Sequence, residues 1–316
     1  MFRLRLIPDN TKIPFMNGRY AGLITSAFLS IASLILFFHP GLNYGIDFRG
    51  GIVIEARTPQ ATDFASLRHT LTGLGMGQVA LQEFGSNQDV LIRLERQPGD
   101  DAAQQVAADK VRSTLATAVP GTQVRRVEAV GASVSGELFT NGMLALGLAM
   151  VAMLFYIWFR FEWQFGLGAV VTLLLDITKI VGFYAITGLQ FNLVAVAAIL
   201  TIMGYSINDK VVVYDRMREN LRIYKKMPLR DLIDLSINET LNRTLGTSMC
   251  TFLSVIPLAL FGGEALQDFG IVLLLGVFIA TTSSIFIAAP ILLFLGENRL
   301  RRGAPDVQPT NAPTTP

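Results

Sequence analysis

Five ionisable side chains fall inside or at the rim of long apolar runs: Asp176, Lys179, Asp209, Lys210 and Arg243. A charge near the centre of a bilayer costs on the order of 3 kcal/mol or more, so such residues usually face a helix-bundle interior and serve function. Asp209 lies six residues before Asp215, about 9 Å inside the polar boundary there. Arg243 opens the next apolar run from the same side, so two antiparallel helices bring Asp209 and Arg243 to similar depth. An arginine keeps its charge at any relevant pH. Beside it Asp209 stays ionised; once the two separate, the poorly solvated carboxylate takes a proton. Such a pair is a proton switch coupled to motion. The competing reading is a structural ion pair that fixes helix packing, and the residues alone leave both open.

The surrounding residues fit either use. Gly204, four and five residues before Asn208 and Asp209, permits a bend or a close helix approach. Ser206 and Asn208 supply polar contacts or hold water. Lys210 sits about 100° around the helix from Asp209 and reads as a side chain that snorkels toward the aqueous boundary. Asp176 and Lys179, three apart on one helical face, are spaced to pair with each other, and a self-neutralising structural pair is the stronger reading there.

These residues need membrane-spanning helices to position them. The chain has 316 residues, of which 51% are hydrophobic and 16% charged, whereas soluble domains carry nearer a quarter charged residues. A bilayer core of about 30 Å calls for roughly 20 apolar residues per helix. Six runs qualify: Tyr20–Phe38, Leu138–Trp158, Gln164–Ile186, Phe191–Tyr214, Thr244–Gly262 and Phe269–Leu295. No small-residue cleavage site follows the first run, which reads as a retained helix. The expected class is an α-helical polytopic membrane protein with six transmembrane helices in the lipid bilayer. Residues 1–19 form the N-terminus, 20–38 the first helix, 39–137 a polar domain, and 138–295 the other five helices. A charged segment at 215–242 and a tail at 296–316, rich in Pro, Thr and Ala from Gly303 onward and expected to be disordered, complete the chain.

Lys and Arg near the helix ends set the orientation. Arg3, Arg5, Lys12 and Arg19, then Arg160, then the six basic residues from Arg216 to Arg230, then Arg299, Arg301 and Arg302 fall on one side, expected to be cytoplasmic. The turns at 187–190 and 263–268 carry neither Lys nor Arg. Both termini are thus expected inside and residues 39–137 outside. Within that domain, Gly51–Arg57, Val79–Phe84, Asp89–Leu94 and Gln123–Val130 read as strands, and Thr62–Leu74 and Asp100–Ala118 as helices. This order suggests a ferredoxin-like α+β layer between helices 1 and 2. Pro228 is placed to open a short helix with Leu229, Leu232, Ile233, Ser236 and Ile237 on one face, expected to lie at the lipid interface.

Enzyme chemistry finds little footing. The two histidines, His39 and His69, lie outside the apolar runs, and there is no H-E-x-x-H, Cys/His cluster or phosphate-binding loop. No cofactor or metal is expected, and the net charge of +2 argues for no nucleic-acid partner. The lone Cys250 carries no redox information.

Several motifs carry a family resemblance. Gly45-Ile46-Asp47-Phe48-Arg49-Gly50-Gly51 resembles the signature that follows the first helix in SecD and SecF proteins. Gly204-Tyr205-Ser206-Ile207-Asn208-Asp209, continuing to Asp215-Arg216-Met217-Arg218-Glu219-Asn220, resembles the fourth helix of the SecF family. Thr240-Leu241-Asn242-Arg243-Thr244, Phe261-Gly262-Gly263 and Ser283-Ser284-Ile285-Phe286 are similar to its fifth and sixth helices. The likeness runs from about residue 17 to 300. It implies a non-enzymatic half-transporter of the resistance-nodulation-division class in the bacterial inner membrane. Such a subunit pairs with SecD and uses the proton-motive force to draw preproteins out of SecYEG at the periplasmic side, with Asp209 and Arg243 as the proton relay. The alternatives are a structural stabiliser of SecD and SecYEG without proton coupling, and a small-molecule or lipid transporter of the same superfamily. The chain departs from the family pattern at Lys210, where Thr or Ser is usual, and at Leu175, where His is usual. Lys179, Ala132, Ala280 and Thr282 also depart.

Overall fold

The computed structural model describes Pro8, residues 11–84 and residues 86–295 of the chain. The basic residues expected at the extreme N-terminus, the turn residue Gly85 and the C-terminal tail lie outside the described residues. In chain order the elements are α1 (Arg19–Phe38), β1 (Asn43–Tyr44), α2 (Ile46–Arg49), β2 (Gly51–Arg57), α3 (Phe64–Thr72), β3 (Val79–Phe84), β4 (Ser86–Leu94), α4 (Asp101–Ala118), β5 (Gln123–Val130), α5 (Ala132–Arg160), α6 (Trp163–Thr187), β6 (Gln190–Phe191), α7 (Leu193–Ile223), α8 (Leu229–Phe261), α9 (Gly263–Ser283) and α10 (Ala289–Leu295). A π-helical turn, Ser284–Ala288, joins α9 to α10. Six helical stretches are long and apolar enough to cross a membrane, the last running Leu266–Leu295.

Residues 43–145 and 190–193 form one compact unit, and the remaining residues form another. In the first, an antiparallel sheet has the order β3-β4-β2-β5. Ile52, Ile54, Val90, Ile92 and Leu94 alternate onto one face and meet Leu67 and Leu71 of α3 and Val111 and Leu115 of α4. Such alternation turns one face to the helices, while Val53 and Leu91 on the opposite face are buried too. Asp63 and Asp100 cap α3 and α4, their carboxylates accepting backbone N–H groups.

Asp89 is the ionic centre of the sheet. Its carboxylate accepts from the Ser86 hydroxyl at 2.7 Å and twice from Arg57, at 2.8 and 2.9 Å, with Arg125 3.3 Å away. The Ser86 hydrogen bond first, then the two guanidiniums, hold this carboxyl below the usual carboxylate range despite its burial. A depressed value in the folded state adds stability above the unfolded value of about 4, and that stability is lost as pH falls through the folded value. The difference in thermal unfolding between the wild type and Asp89→Asn should therefore be constant near neutrality and shrink on acidification below about pH 4.

The glycine-aspartate signature has a structural task in this unit. β1 pairs in parallel with β6, and the Gly45 N–H donates to Phe191 O at 3.0 Å. The Asp47 carboxylate accepts the Leu193 N–H, at the first residue of α7, at 3.0 Å. Gly50 and Gly51 have φ of +73° and +128°, and a Cβ at Gly51 would stand 2.7 Å from Leu94 O, so both places favour glycine. Asp47→Ala removes a charged acceptor from a helix start and should cost about 1–2 kcal/mol, read as a lowered unfolding midpoint of the purified protein.

In the helical unit, the stretch Leu266–Leu295 and α7 are the most enclosed, followed by α6. The segment expected to lie at the lipid interface does not stand apart: α7 runs unbroken to Ile223, and Pro228 is the N-cap of a continuous α8. Leu229, Leu232, Ile233 and Ile237 are buried against protein. The polar flank of that turn is tied down as well. Met16 N–H donates to Asp234 at 2.9 Å, Asn220 donates to Ser236 at 2.9 Å, and Arg216 pairs with Glu239 at 2.7 Å. Burial against the chain's own N-terminal turn and α7 replaces the expected lipid contact.

Candidate functional site

Asp176, Lys179, Asp209 and Lys210 are the buried carboxylates and ammoniums of the spanning helices among the described residues. Counted with every group ionised, the two carboxylates balance the two ammoniums, a balance that a low-dielectric interior favours.

Asp176 on α6 is the hub, only 1% exposed. Its Oδ2 accepts from Lys210 Nζ at 2.9 Å, Ser206 Oγ at 2.8 Å and Ser283 Oγ at 2.7 Å. Its Oδ1 faces Lys179 Nζ at 3.5 Å. The Asp176–Lys179 pair thus forms at the spacing that predicted it. Lys210 is the correction. Its side chain is fully buried and turns inward, donating also to the carbonyl and hydroxyl of Ser206 and reaching Ser283 at 3.4 Å. A snorkelling lysine needs a path to water. This one has a carboxylate across the α6–α7 interface instead, and three helices are tied at one point.

Asp209 is equally buried, at 1% exposure, but its Oδ2 has no hydrogen-bond partner. The groups acting on its charge are the Lys210 ammonium and the Thr281 hydroxyl of α9. Thr281 continues a line of hydroxyls: Tyr205 meets Ser248 at 2.9 Å, and Ser248 meets Thr281 at 2.7 Å. Arg243 does not join Asp209. It is exposed on α8 and makes no hydrogen bond or ion pair among the described residues. Similar depth along two helices leaves their rotation unspecified, and here the guanidinium points elsewhere.

Gly204 and Asn208 lie on an exposed strip of α7. A Cβ at Gly204 would meet nothing within 4 Å, so the expected close approach is not made within this chain, and α7 stays helical through it. Ser206 is in the cluster; Asn208 is outside it. Sequence reasoning missed Ser248, Thr281 and Ser283 as site residues. Their signal in the sequence is weak, because Ser and Thr commonly serve as small packing residues in membrane helices. Among the described residues no three His, Cys, Asp or Glu side chains gather to hold a metal.

A family profile described as protein export membrane protein SecD/SecF, C-terminal, matches residues 110–298, and one for the SecD/SecF GG motif matches residues 35–60. The chain is 43% identical over 303 residues to protein translocase subunit SecF of Rickettsia bellii, covering 96% of this chain and 99% of that one. It is 43% identical over 310 residues to protein translocase subunit SecF of Rhodobacter capsulatus, covering 94% and 93%. Its structure is similar to that of SecDF, a translocon-associated membrane protein from Thermus thermophilus, with TM-score 0.83 and 29% identity. That match covers 93% of this chain and 40% of the SecDF chain. A super-membrane-facing form of SecDF matches with TM-score 0.65.

Proposed function

The chain belongs to the SecF family of protein translocase subunits, and from that premise we propose that it works with SecD to promote preprotein export through SecYEG at the expense of the proton-motive force. It does so without covalent chemistry, in the inner membrane, with both termini cytoplasmic and the α+β unit, read as a ferredoxin-like layer, on the periplasmic side. The observation that carries the reading is Asp209: a carboxylate sealed inside the spanning helices with one oxygen unpartnered. A buried carboxylate in that condition is suited to exchange a proton rather than to hold a permanent charge.

Asp209 takes and releases the proton, and Arg243 is the cation against which the ionised form closes. The open arrangement, with Arg243 exposed, fits the protonated half of such a cycle. The hydroxyl line Tyr205–Ser248–Thr281 supplies groups able to pass a proton toward Asp209. The exposed Gly204–Asn208 strip on the otherwise enclosed α7 suits a partner's helix at close range, and SecD is the partner proposed for it. The match to 40% of a SecDF chain supports the same pairing.

Affinity isolation from native membranes should bring SecD and SecYEG down with the chain. Vesicles lacking the chain should lose the part of preprotein export that depends on the proton-motive force. Isolation of the intact chain without either partner would favour a small-molecule or lipid transporter of the same superfamily. Copurification with unaltered force dependence would leave a structural stabiliser.

A further inference from the structure

The surroundings of Lys210 Nζ are those of a bound cation. Four oxygens face it from three helices: Asp176 Oδ2 at 2.9 Å, Ser206 Oγ, Ser206 O at 3.3 Å and Ser283 Oγ at 3.4 Å. One carboxylate, one backbone carbonyl and two hydroxyls form a ligand set of the kind that replaces the hydration shell of a hard cation. Asp176, Ser206 and Ser283 are each 0–1% exposed, so the cage is walled off from lipid and solvent. Its oxygens are tied to one another, Ser206 and Ser283 both donating to Asp176 Oδ2. Charge counting agrees. While Asp209 is ionised, the buried group of Asp176, Lys179, Asp209 and Lys210 is neutral; without Lys210 it then carries one uncompensated negative charge, which a single monovalent cation balances.

We propose that the Lys210 ammonium is a tethered cation filling an oxygen-lined intramembrane site, and that its removal opens this site to a free alkali cation. In the native chain Lys210 is then the residue that sets ion choice. It denies the Asp176 cage to sodium and potassium, and leaves the proton as the ion exchanged in this bundle. The last step rests on the coupling proposed above; the cage does not, and a binding measurement separates the two.

The test uses the purified protein with its copurifying partner. Equilibrium binding of radioactive sodium and of rubidium, as a potassium stand-in, is measured alongside thermal unfolding in sodium, potassium and choline chloride at equal ionic strength. The wild type should bind neither ion saturably and unfold at one temperature in all three salts. Lys210→Thr should bind sodium or rubidium saturably, whichever fits, and be stabilised by that ion relative to choline. Asp176→Asn added to Lys210→Thr should abolish both effects. Saturable, Asp176-dependent binding by the wild type would overturn the proposal. So would a Lys210→Thr protein indifferent to the salt, since Lys179 or a proton would then balance Asp176 without a free cation. A Lys210→Thr protein that fails to assemble in every salt also counts against it, because a free cation should replace the ammonium.

Discussion

Vesicles carrying Asp209→Asn should contain the assembled complex at wild-type abundance and lose the whole force-dependent component of preprotein export. Asparagine keeps the shape of the side chain and removes its charge and its proton. The wild-type Oδ2 has no hydrogen-bond partner, so the amide forfeits no contact at that oxygen; what it removes is the charge facing Lys210. Leaving a polar amide buried costs on the order of 1–3 kcal/mol where the group stays unpaired, well short of what prevents assembly in a bundle of this size. The measurement is export with and without an uncoupler, normalised to the complex present. Retention of uncoupler-sensitive export would remove Asp209 from the mechanism.

Asp176→Asn should act in the opposite manner, on the fold first. It leaves the fully buried Lys210 ammonium and its neighbour Lys179 without their carboxylate. Breaking a buried ion pair by removing one partner costs about 3–5 kcal/mol, because the remaining charge is stranded. The expected outcome is a chain that accumulates poorly and unfolds at a clearly lower temperature in detergent. The double variant Asp176→Asn, Lys210→Met should recover the part of the loss due to Lys210, with Lys179 still lacking its carboxylate, since a well-packed apolar replacement of a buried charge is often neutral. Equal stability of Asp176→Asn and the wild type would mean that the cluster is not an ion pair.

The contrast between two neighbouring aspartates explains what could be read from the sequence. The six spans were legible because their length and apolarity are local properties, and Asp176–Lys179 because residues three apart on a helix share a face. The strands of the α+β unit were legible by alternation; Gly51–Arg57, Val79–Phe84 and Gln123–Val130 occupy the ranges their patterns predict. The extents of α7 and α8 were not. Charged residues from Asp215 onward mimic a loop, yet no helix breaker occurs before Pro228, and the apolar face of 229–237 is buried by distant residues near Met16. Lys210 was misdirected for a related reason. Whether a lysine snorkels or turns inward depends on what stands opposite on another helix, and Asp176 is 34 positions away in sequence. Asp209 and Arg243 illustrate the same limit, because sequence spacing fixes height along an axis and says nothing of rotation about it. The resemblance marked Asp47 and the glycines as a signature, but only the hydrogen bond from Leu193 to Asp47 gives the signature its physical task of seating the start of α7.

Proton binding at Asp209 can be measured without export. Infrared difference spectra of the purified complex between alkaline and acidic pH report the carbonyl stretch of each carboxyl group that takes up a proton. The wild type should show a protonated-carboxyl band that is absent from Asp209→Asn and still present in an Asp47→Asn control. Identical bands in the wild type and Asp209→Asn would mean that Asp209 does not exchange a proton, and would contradict the mechanism proposed for this chain.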